Sequence, residues 1–379
     1  MSLGFSKASD FDSVASEYRW MNQLRIKVGQ IITNLWVRRR HRCPAGAIAV
    51  VLLMFLLGYS WLDLQSPAQC GREEGIHLQP LDSLAVTQVN VQSTQEKREV
   101  ELKEQLRTHL GEIVRERDPY LNTGGHFYVQ QYIRQQLGQW GNVDTHEFTV
   151  RGKVHQNLVL NLPAARSNKR PLLLIGAHYD AVPGSPGADD NATGVAVLLE
   201  LARSLFQEPA NYPVRLVAFD MEEYGLLGST EYAAALRQQQ QPLRLMISLE
   251  MLGYRDQRVG SQRYPAGLKR FYPNCGNFMA LIGNWQTLPD LFRLSDRLRK
   301  VGVPSEWLPA GQRGTLIPAT RLSDHAPFWD QGYRAMMVTD TAFLRNPHYH
   351  QQSDRIDTLD LDFLTAVCRG LAVGIRHLA

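Results

Sequence analysis

The second half of this sequence predicts an α/β fold, a mixed but mostly parallel central sheet with helices on both faces. Two observations lead there. Short apolar runs, Leu172 to Ala177, Val214 to Phe219 and Leu245 to Leu249, have the length and content of buried strands. Between them, Ala192 to Phe206 and Leu226 to Gln238 read as helices, so strand and helix alternate as a layered parallel sheet requires.

The elements follow in chain order. Residues 1–43 are polar to basic and read as a cytoplasmic tail ending in a helix. Residues 44–62, PAGAIAVVLLMFLLGYSWL, carry no charge. As a helix this run is about 28 Å long, close to the ~30 Å hydrocarbon core. Arg38, Arg39, Arg40 and Arg42 precede it, and Tyr59 and Trp61 sit near its far end. The positive-inside rule therefore predicts an uncleaved signal anchor, amino terminus in the cytoplasm and the rest periplasmic or extracellular. A buried core helix is the alternative, but nothing amphipathic breaks the run. A cleaved signal peptide would need residues 1–43 as its n-region and LQSPAQC as a poor cleavage site.

Residues 63–91 read as a linker and residues 92–379 as one folded domain. Gln95 to Arg117 is predicted helical from its Glu, Lys, Arg and Leu content, and Gly125 to Trp140 from the spacing of Tyr128, Tyr132, Ile133 and Leu137. His146 to Val150 and Gln156 to Leu162 read as strands. Tyr254 to Gln286, rich in Gly, Pro, Asn and aromatic residues, is a long loop of the kind that forms a rim or lid. A helix near Asp290 to Val301, a strand at Ala335 to Thr339 and an amphipathic helix from Thr358 to Leu378 complete the order.

The totals constrain function. The 379 residues are 44% hydrophobic and 21% charged, an ordinary globular composition. A net charge of +4 without a basic face interleaved with aromatics gives nucleic-acid binding no support. Cys43, Cys70, Cys275 and Cys368 have no zinc-ribbon or redox spacing; Cys70 and Cys275 are the pair open to oxidation.

Acidic and imidazole residues recur where apolar runs end. His178 and Asp180 close LLLIGAHYD, and residues two apart on a strand point the same way, so one can ligate while the other supports it. Asp189 and Asp190 lie in GADDNATG at a turn that opens a helix, where acids also favour the positive helix end. Glu222 and Glu223 follow a strand in LVAFDMEEYGLLGS, and Glu250 ends ISLE, where a buried carboxylate needs a partner. His350 lies in NPHYH beside His348 and Tyr349. Nitrogen and carboxylate donors of this kind are the non-sulfur ligands of zinc, and a doubly wound sheet gathers them at the carboxyl ends of its strands.

In order and spacing, AHYD, GADDN, EEYGLLGS, EMLGY, SDHAPF and PHYH followed by SDRIDTLD resemble the zinc aminopeptidases of metallopeptidase family twenty-eight, the bacterial leucyl aminopeptidase-like group. The resemblance runs from about Glu96 to the carboxyl terminus and implies an aminopeptidase-like zinc exopeptidase fold. It also implies two zinc ions bridged by Asp190, with His178 and Glu250 on one and Glu223 and His350 on the other. Glu222 would be the general base that works with a zinc-activated water, Asp180 the supporting carboxylate, Tyr349 an oxyanion stabiliser, and Asp324 a supporting or substrate-facing residue. Family members often carry Asp where this chain has Glu250, which bears on occupancy of the second metal position.

Charge counting points to two ions as well: Asp190, Glu223, Glu250 and a bridging hydroxide supply four negative charges, which two Zn²⁺ balance. The expected activity is removal of the amino-terminal residue from peptides. A glutaminyl-peptide cyclotransferase with one zinc and a dipeptidase or carboxypeptidase share the fold. A non-catalytic domain is set against the intact ligand and base candidates, and a dinucleotide-binding dehydrogenase lacks its glycine fingerprint. Specificity is expected to come from the loops Tyr254 to Gln286 and Pro304 to Thr320. Side-chain preference and oligomeric state are not legible.

Overall fold

A computed structural model describes residues 85–378 apart from 167–169. The tail, the anchor at 44–62, Cys43 and Cys70 lie outside the described residues. Among the described residues no helix is long and apolar enough to cross a membrane.

The chain begins with α1 (Ala85–Ile113) and α2 (Thr123–Gly138), followed by the hairpin of β1 (Val143–Val150) and β2 (Lys153–Leu162). Then come β3 (Leu172–His178), α3 (Gly194–Gln207), β4 (Val214–Phe219), α4 (Leu227–Gln238) and β5 (Leu243–Glu250). The remainder is β6 (Met279–Gly283), α5 (Leu288–Lys300), β7 (Ser305–Pro309), α6 (His325–Asp330), β8 (Ala335–Thr339) and α7 (Leu361–Arg376). The sheet order is β1-β2-β4-β3-β5-β8-β6-β7. Its centre, β4-β3-β5-β8, is parallel, and the antiparallel pairs are β1 with β2, β2 with β4, and β6 with β8.

This is the mixed, mostly parallel sheet expected, with corrections at the edges. Helix α1 starts inside the stretch read as a linker. Strands β6 and β7 lie in stretches where no strand was expected. The first, MALIG, falls within the predicted long loop; the second, SEWLP, pairs only with β6 and ends in a proline that an edge strand tolerates.

Strand alternation divides the core in two. Leu173, Ile175 and Ala177 of β3, with Leu245, Ile247 and Leu249 of β5, face one layer, which α1, α2, α3, α5 and α7 cover. Leu174, Val217, Phe219 and Met246 face the other, where Tyr232, Ala233 and Leu236 of α4 meet Phe328 and Trp329 of α6. Helix α3 is buried along most of its length, which accounts for its apolar sequence GVAVLLELA. In the order β4-β3-β5-β8, the connection leaving β3 runs to one side and the one leaving β5 runs to the other, which opens a crevice between their carboxyl ends.

The same close packing explains Gly176 on β3. A Cβ there would lie 2.3 Å from a ring carbon of Phe219, itself fully buried. Gly176→Ala should therefore destabilise the domain by about 1–3 kcal/mol through overpacking, read as a lower urea midpoint; an unchanged midpoint would show that the Phe219 ring yields freely.

Candidate metal centre

His178 is the last residue of β3 and Glu250 the last of β5, so adjacent parallel strands deliver both to one end of the sheet. Strand β4 ends at Phe219, and the turn after it brings Glu222 and Glu223 to the same place. Asp190 comes from the turn at Ala188–Thr193 that precedes α3, its Asp190–Asn191 peptide cis. His350 arrives from the turn after β8.

These side chains converge. Asp190 Oδ1 lies 3.2 Å from His178 Nε2, and Oδ2 lies 3.1 Å from His350 Nε2. Glu250 Oε1 is 3.7 Å from His178 Nε2, and Glu223 Oε2 is 3.2 Å from His350 Nε2. One carboxylate thus faces two imidazoles through different oxygens, and each imidazole has a second carboxylate of its own. Donor atoms of His178, Asp190 and Glu223 fall within 4.8 Å of one another, as do those of His178, Glu222 and Glu250. The second group puts Glu222 within ligand reach as well.

The donor set fits a cation better than it fits hydrogen bonding. Despite their short distances, the Nε2 atoms of His178 and His350 make no properly directed hydrogen bond, and Glu223 Oε1 is buried without a partner. Buried carboxylates crowd one another here. Burial, together with neighbouring Glu250, Glu223 and Asp324, pushes Glu222 well above the carboxylate range, although His178 opposes it. Burial and Asp190 push Glu223 up to about 7. Burial would raise Asp190, but His178 and His350 hold it below its ordinary value. So many acids sharing a dry site need compensating positive charge.

Supporting contacts fix the geometry. Asp180 Oδ1 is 3.4 Å from His178 Nδ1, the strand-spacing relation expected. The Asp180 carboxylate also accepts the backbone N–H groups of Glu222 and Glu223, each at 3.1 Å, so one acid orients a histidine and the glutamate turn together. Asp354, in SDRIDTLD, accepts from the amides of Asp189 and Asp190 at 2.9 and 3.1 Å. Ser323 donates to Glu250 Oε2 at 2.7 Å. Asp189 faces away from the centre, accepting from Gly253 N at 2.9 Å and from Asn346 Nδ2 at 2.8 Å. Asp354 and Ser323 lie in SDRIDTLD and SDHAPF, yet sequence alone assigns neither a role, and it marks Asp189 only as a neighbour of Asp190. Asp324 is fully buried with neither oxygen hydrogen-bonded, and burial pushes it up to about 7.

Three non-glycine residues at the centre occupy left-handed backbone: Met221 (φ 60°), Met251 (φ 50°) and His350 (φ 58°). Each costs roughly 1–3 kcal/mol, and each sits at or beside a candidate ligand or base. The strain is located where side chains must turn into the crevice.

The cavity beside the acids is lined by Ile282, Ala319, Leu322, Met337 and Thr339, the segment Thr341 to Leu344, and Tyr349. Tyr349 stacks on His350 with centroids 3.7 Å apart, and burial holds its phenol protonated, ready to donate. The two loops expected to build this wall supply only Ile282 and Ala319; the segment after β8 supplies most of it. The loop starting at Tyr254 instead braces that segment. Gln262 Nε2 donates to Thr341 Oγ1 at 2.9 Å, its Oε1 accepts from Arg345 Nε at 2.9 Å, and Arg263 N donates to Leu344 O at 2.9 Å. Cys275 in the same loop is buried.

The fold is a mixed α/β sheet whose strand ends gather imidazoles and carboxylates that could hold a metal ion. The sequence profile of peptidase family M28 matches residues 157–373, and the chain belongs to that family. It is 36% identical over 258 residues to the uncharacterized protein YfbL of Escherichia coli K12, a match spanning 64% of this chain and 77% of that one. It spans about half or less of the curated aminopeptidases it matches. Among solved structures, the LapA aminopeptidase of Legionella pneumophila shares the fold with a TM-score of 0.55 at 21% identity, covering 81% of this chain and 78% of that chain. A glutaminyl cyclase of Bacteroides thetaiotaomicron shares it with a TM-score of 0.53 at 17% identity, covering 73% and 97%.

Burial would lower the His350 imidazole, but the facing carboxylates of Asp190 and Glu223 raise it to about 10, so at neutral pH it carries a proton that a bound metal would displace. Titrating metal-free protein with Zn²⁺ near pH 8 should release at least one proton and bind more weakly as pH falls. Calorimetry in buffers of different ionisation enthalpy reads this; a heat independent of buffer would contradict it.

Proposed function

We propose that this protein is a zinc-dependent aminopeptidase that hydrolyses the amino-terminal residue from peptides. The observation that carries the reading is Asp190 facing His178 through one oxygen and His350 through the other, at 3.2 and 3.1 Å. His178, Asp190 and Glu250 would hold one ion, and Asp190, Glu223 and His350 a second. Bound ions of this kind acidify a water and polarise the scissile carbonyl.

The chain's own residues account for the remainder. Glu222, kept protonatable by its buried acidic neighbours, takes the attacking water's proton and passes it to the leaving amine. Asp180 holds the Glu222 and Glu223 turn through two backbone amides. The Tyr349 hydroxyl donates a hydrogen bond to the carbonyl oxygen as negative charge develops there. The cavity takes the amino-terminal side chain against the segment after β8, and the acidic rim formed by Glu222, Glu223 and Glu250 favours a free α-amino group.

The other exopeptidase readings are less well supported. A carboxypeptidase or dipeptidase needs a cation for the substrate's terminal carboxylate, and among the described residues no Lys or Arg lines this cavity. A cyclotransferase with one zinc would leave one of the two ligand sets, His178 with Glu250 or Glu223 with His350, without a metal to hold.

Residues 44–62 would anchor the protein with its catalytic domain outside the cytoplasm. A reporter active only outside the cytoplasm should work when fused after Leu62, and failure there would remove the anchor. For the chemistry, Glu222→Gln should lower kcat by about 10²–10⁴-fold with zinc still bound. Metal analysis alongside aminoacyl and glutaminyl substrates decides the class. One zinc per chain with pyroglutamate as product would overturn the reading.

A further inference from the structure

Residues 117–126 span the connection from α1 and the first turn of α2, and lie upstream of the segment that the family profile matches. Three of their side chains nonetheless reach the two turns behind the metal centre. Arg117 is fully buried, and every hydrogen bond it makes goes to a main-chain carbonyl. Its Nε donates to Tyr179 O at 2.8 Å, Nη1 to Pro186 O at 2.6 Å, and Nη2 to Gly187 O at 2.8 Å and Asp190 O at 3.1 Å. A planar guanidinium with five donors can satisfy so many acceptors at once; an ammonium cannot. The fit leaves no slack, because a Cβ on Gly187 would lie 2.3 Å from Asp190 O and 2.7 Å from Arg117 Nη2.

The glutamate turn is held from the same stretch. Tyr224, next to Glu223, donates its hydroxyl to Asp118 Oδ2 at 2.6 Å, while Asp118 Oδ1 accepts the amides of Tyr120 and Leu121 at 2.8 and 2.5 Å. His126 Nε2 is 2.7 Å from Asp220 Oδ1, and Asp220 Oδ1 in turn accepts from Met221 N at 2.9 Å. Met221 is the left-handed residue that turns the chain into Glu222.

We propose that residues 117–126 form a positioning clamp, with Arg117 setting the Asp190 turn and Asp118 and His126 setting the turn of Glu222 and Glu223. None of these residues touches substrate; they fix the separation between the bridging acid and the glutamates. The inference deepens the proposed function and rests on it for the identity of the metal.

The test compares wild type with R117K, Y224F, H126A and H126Q. Hydrogen exchange on metal-free protein needs neither metal nor activity. Expected are lost protection at residues 187–191 in R117K and at 222–226 in Y224F and H126A, with β5 and β8 unchanged. H126Q, which keeps a donor toward Asp220, should restore much of the protection lost in H126A. Zn²⁺ titration should show affinity reduced about 10–100-fold, the range for groups that orient metal ligands, and kcat should remain reduced when zinc is saturating. Wild-type local protection in all variants would overturn the clamp, as would protection lost evenly across the sheet. Should R117K fail to fold, Y224F and the H126A and H126Q pair decide the question alone. A wild type that binds no zinc would overturn the metal reading, while the exchange result still decides the clamp.

Discussion

Burial of several carboxylates in one small space is the constraint on which this molecule turns. Asp190, Glu222, Glu223 and Glu250 sit in the crevice at the carboxyl end of the parallel strands, with two imidazoles as their nearest positive partners. Like charges taken out of water repel strongly. Such a site persists when the surrounding structure is rigid enough to hold it and its charge is neutralised, by protons on some of the acids or by a cation. The supporting network supplies the first condition. Asp180, Asp354, Ser323 and Asp189 each bond a ligand, its backbone or the turn that carries it, so the repulsion cannot relax by moving one loop.

The sheet makes this rigidity inexpensive in sequence terms. On β3 and β5 alternate residues fill one apolar layer, and the intervening ones run through the other layer to His178 and Glu250. The side-chain period that builds the core therefore also aims the terminal residues. The direction reversal between β3 and β5 opens the crevice, and in the turn after β4 the left-handed Met221 helps bring two consecutive glutamates into it.

Much of this is legible in the amino-acid sequence. Fully apolar strands and the ordered acidic and imidazole positions are strong signals, because a buried strand tolerates few polar residues and a polar residue at its end needs a partner. His178 and Asp180 approach as their two-residue spacing suggests, although β3 ends at His178 and Asp180 lies just beyond it. Other parts are not legible. Strand β7, half-buried and interrupted by Glu306 and Pro309, lacks the pattern of a covered strand. The cavity wall from Thr341 to Leu344 follows a strand without any motif of its own. Arg117 is hidden for a different reason: its partners are backbone carbonyls, which leave no trace in side-chain identity. Asp354 and Ser323 lie within recognisable strings, but their roles are contacts across more than seventy residues of chain, which no local pattern encodes.

The bracing of the cavity wall has a consequence for how such a pocket diversifies. Gln262 and Arg263, in the loop that starts at Tyr254, share hydrogen bonds with Thr341, Leu344 and Arg345, while the loop itself contributes almost nothing to the pocket surface. Sequence drift in that remote loop would reshape the recess indirectly, by shifting its scaffolding rather than its lining. Two homologues with identical pocket residues can then differ in the shape of the recess, and grafting lining residues alone from one to the other would transfer that shape incompletely.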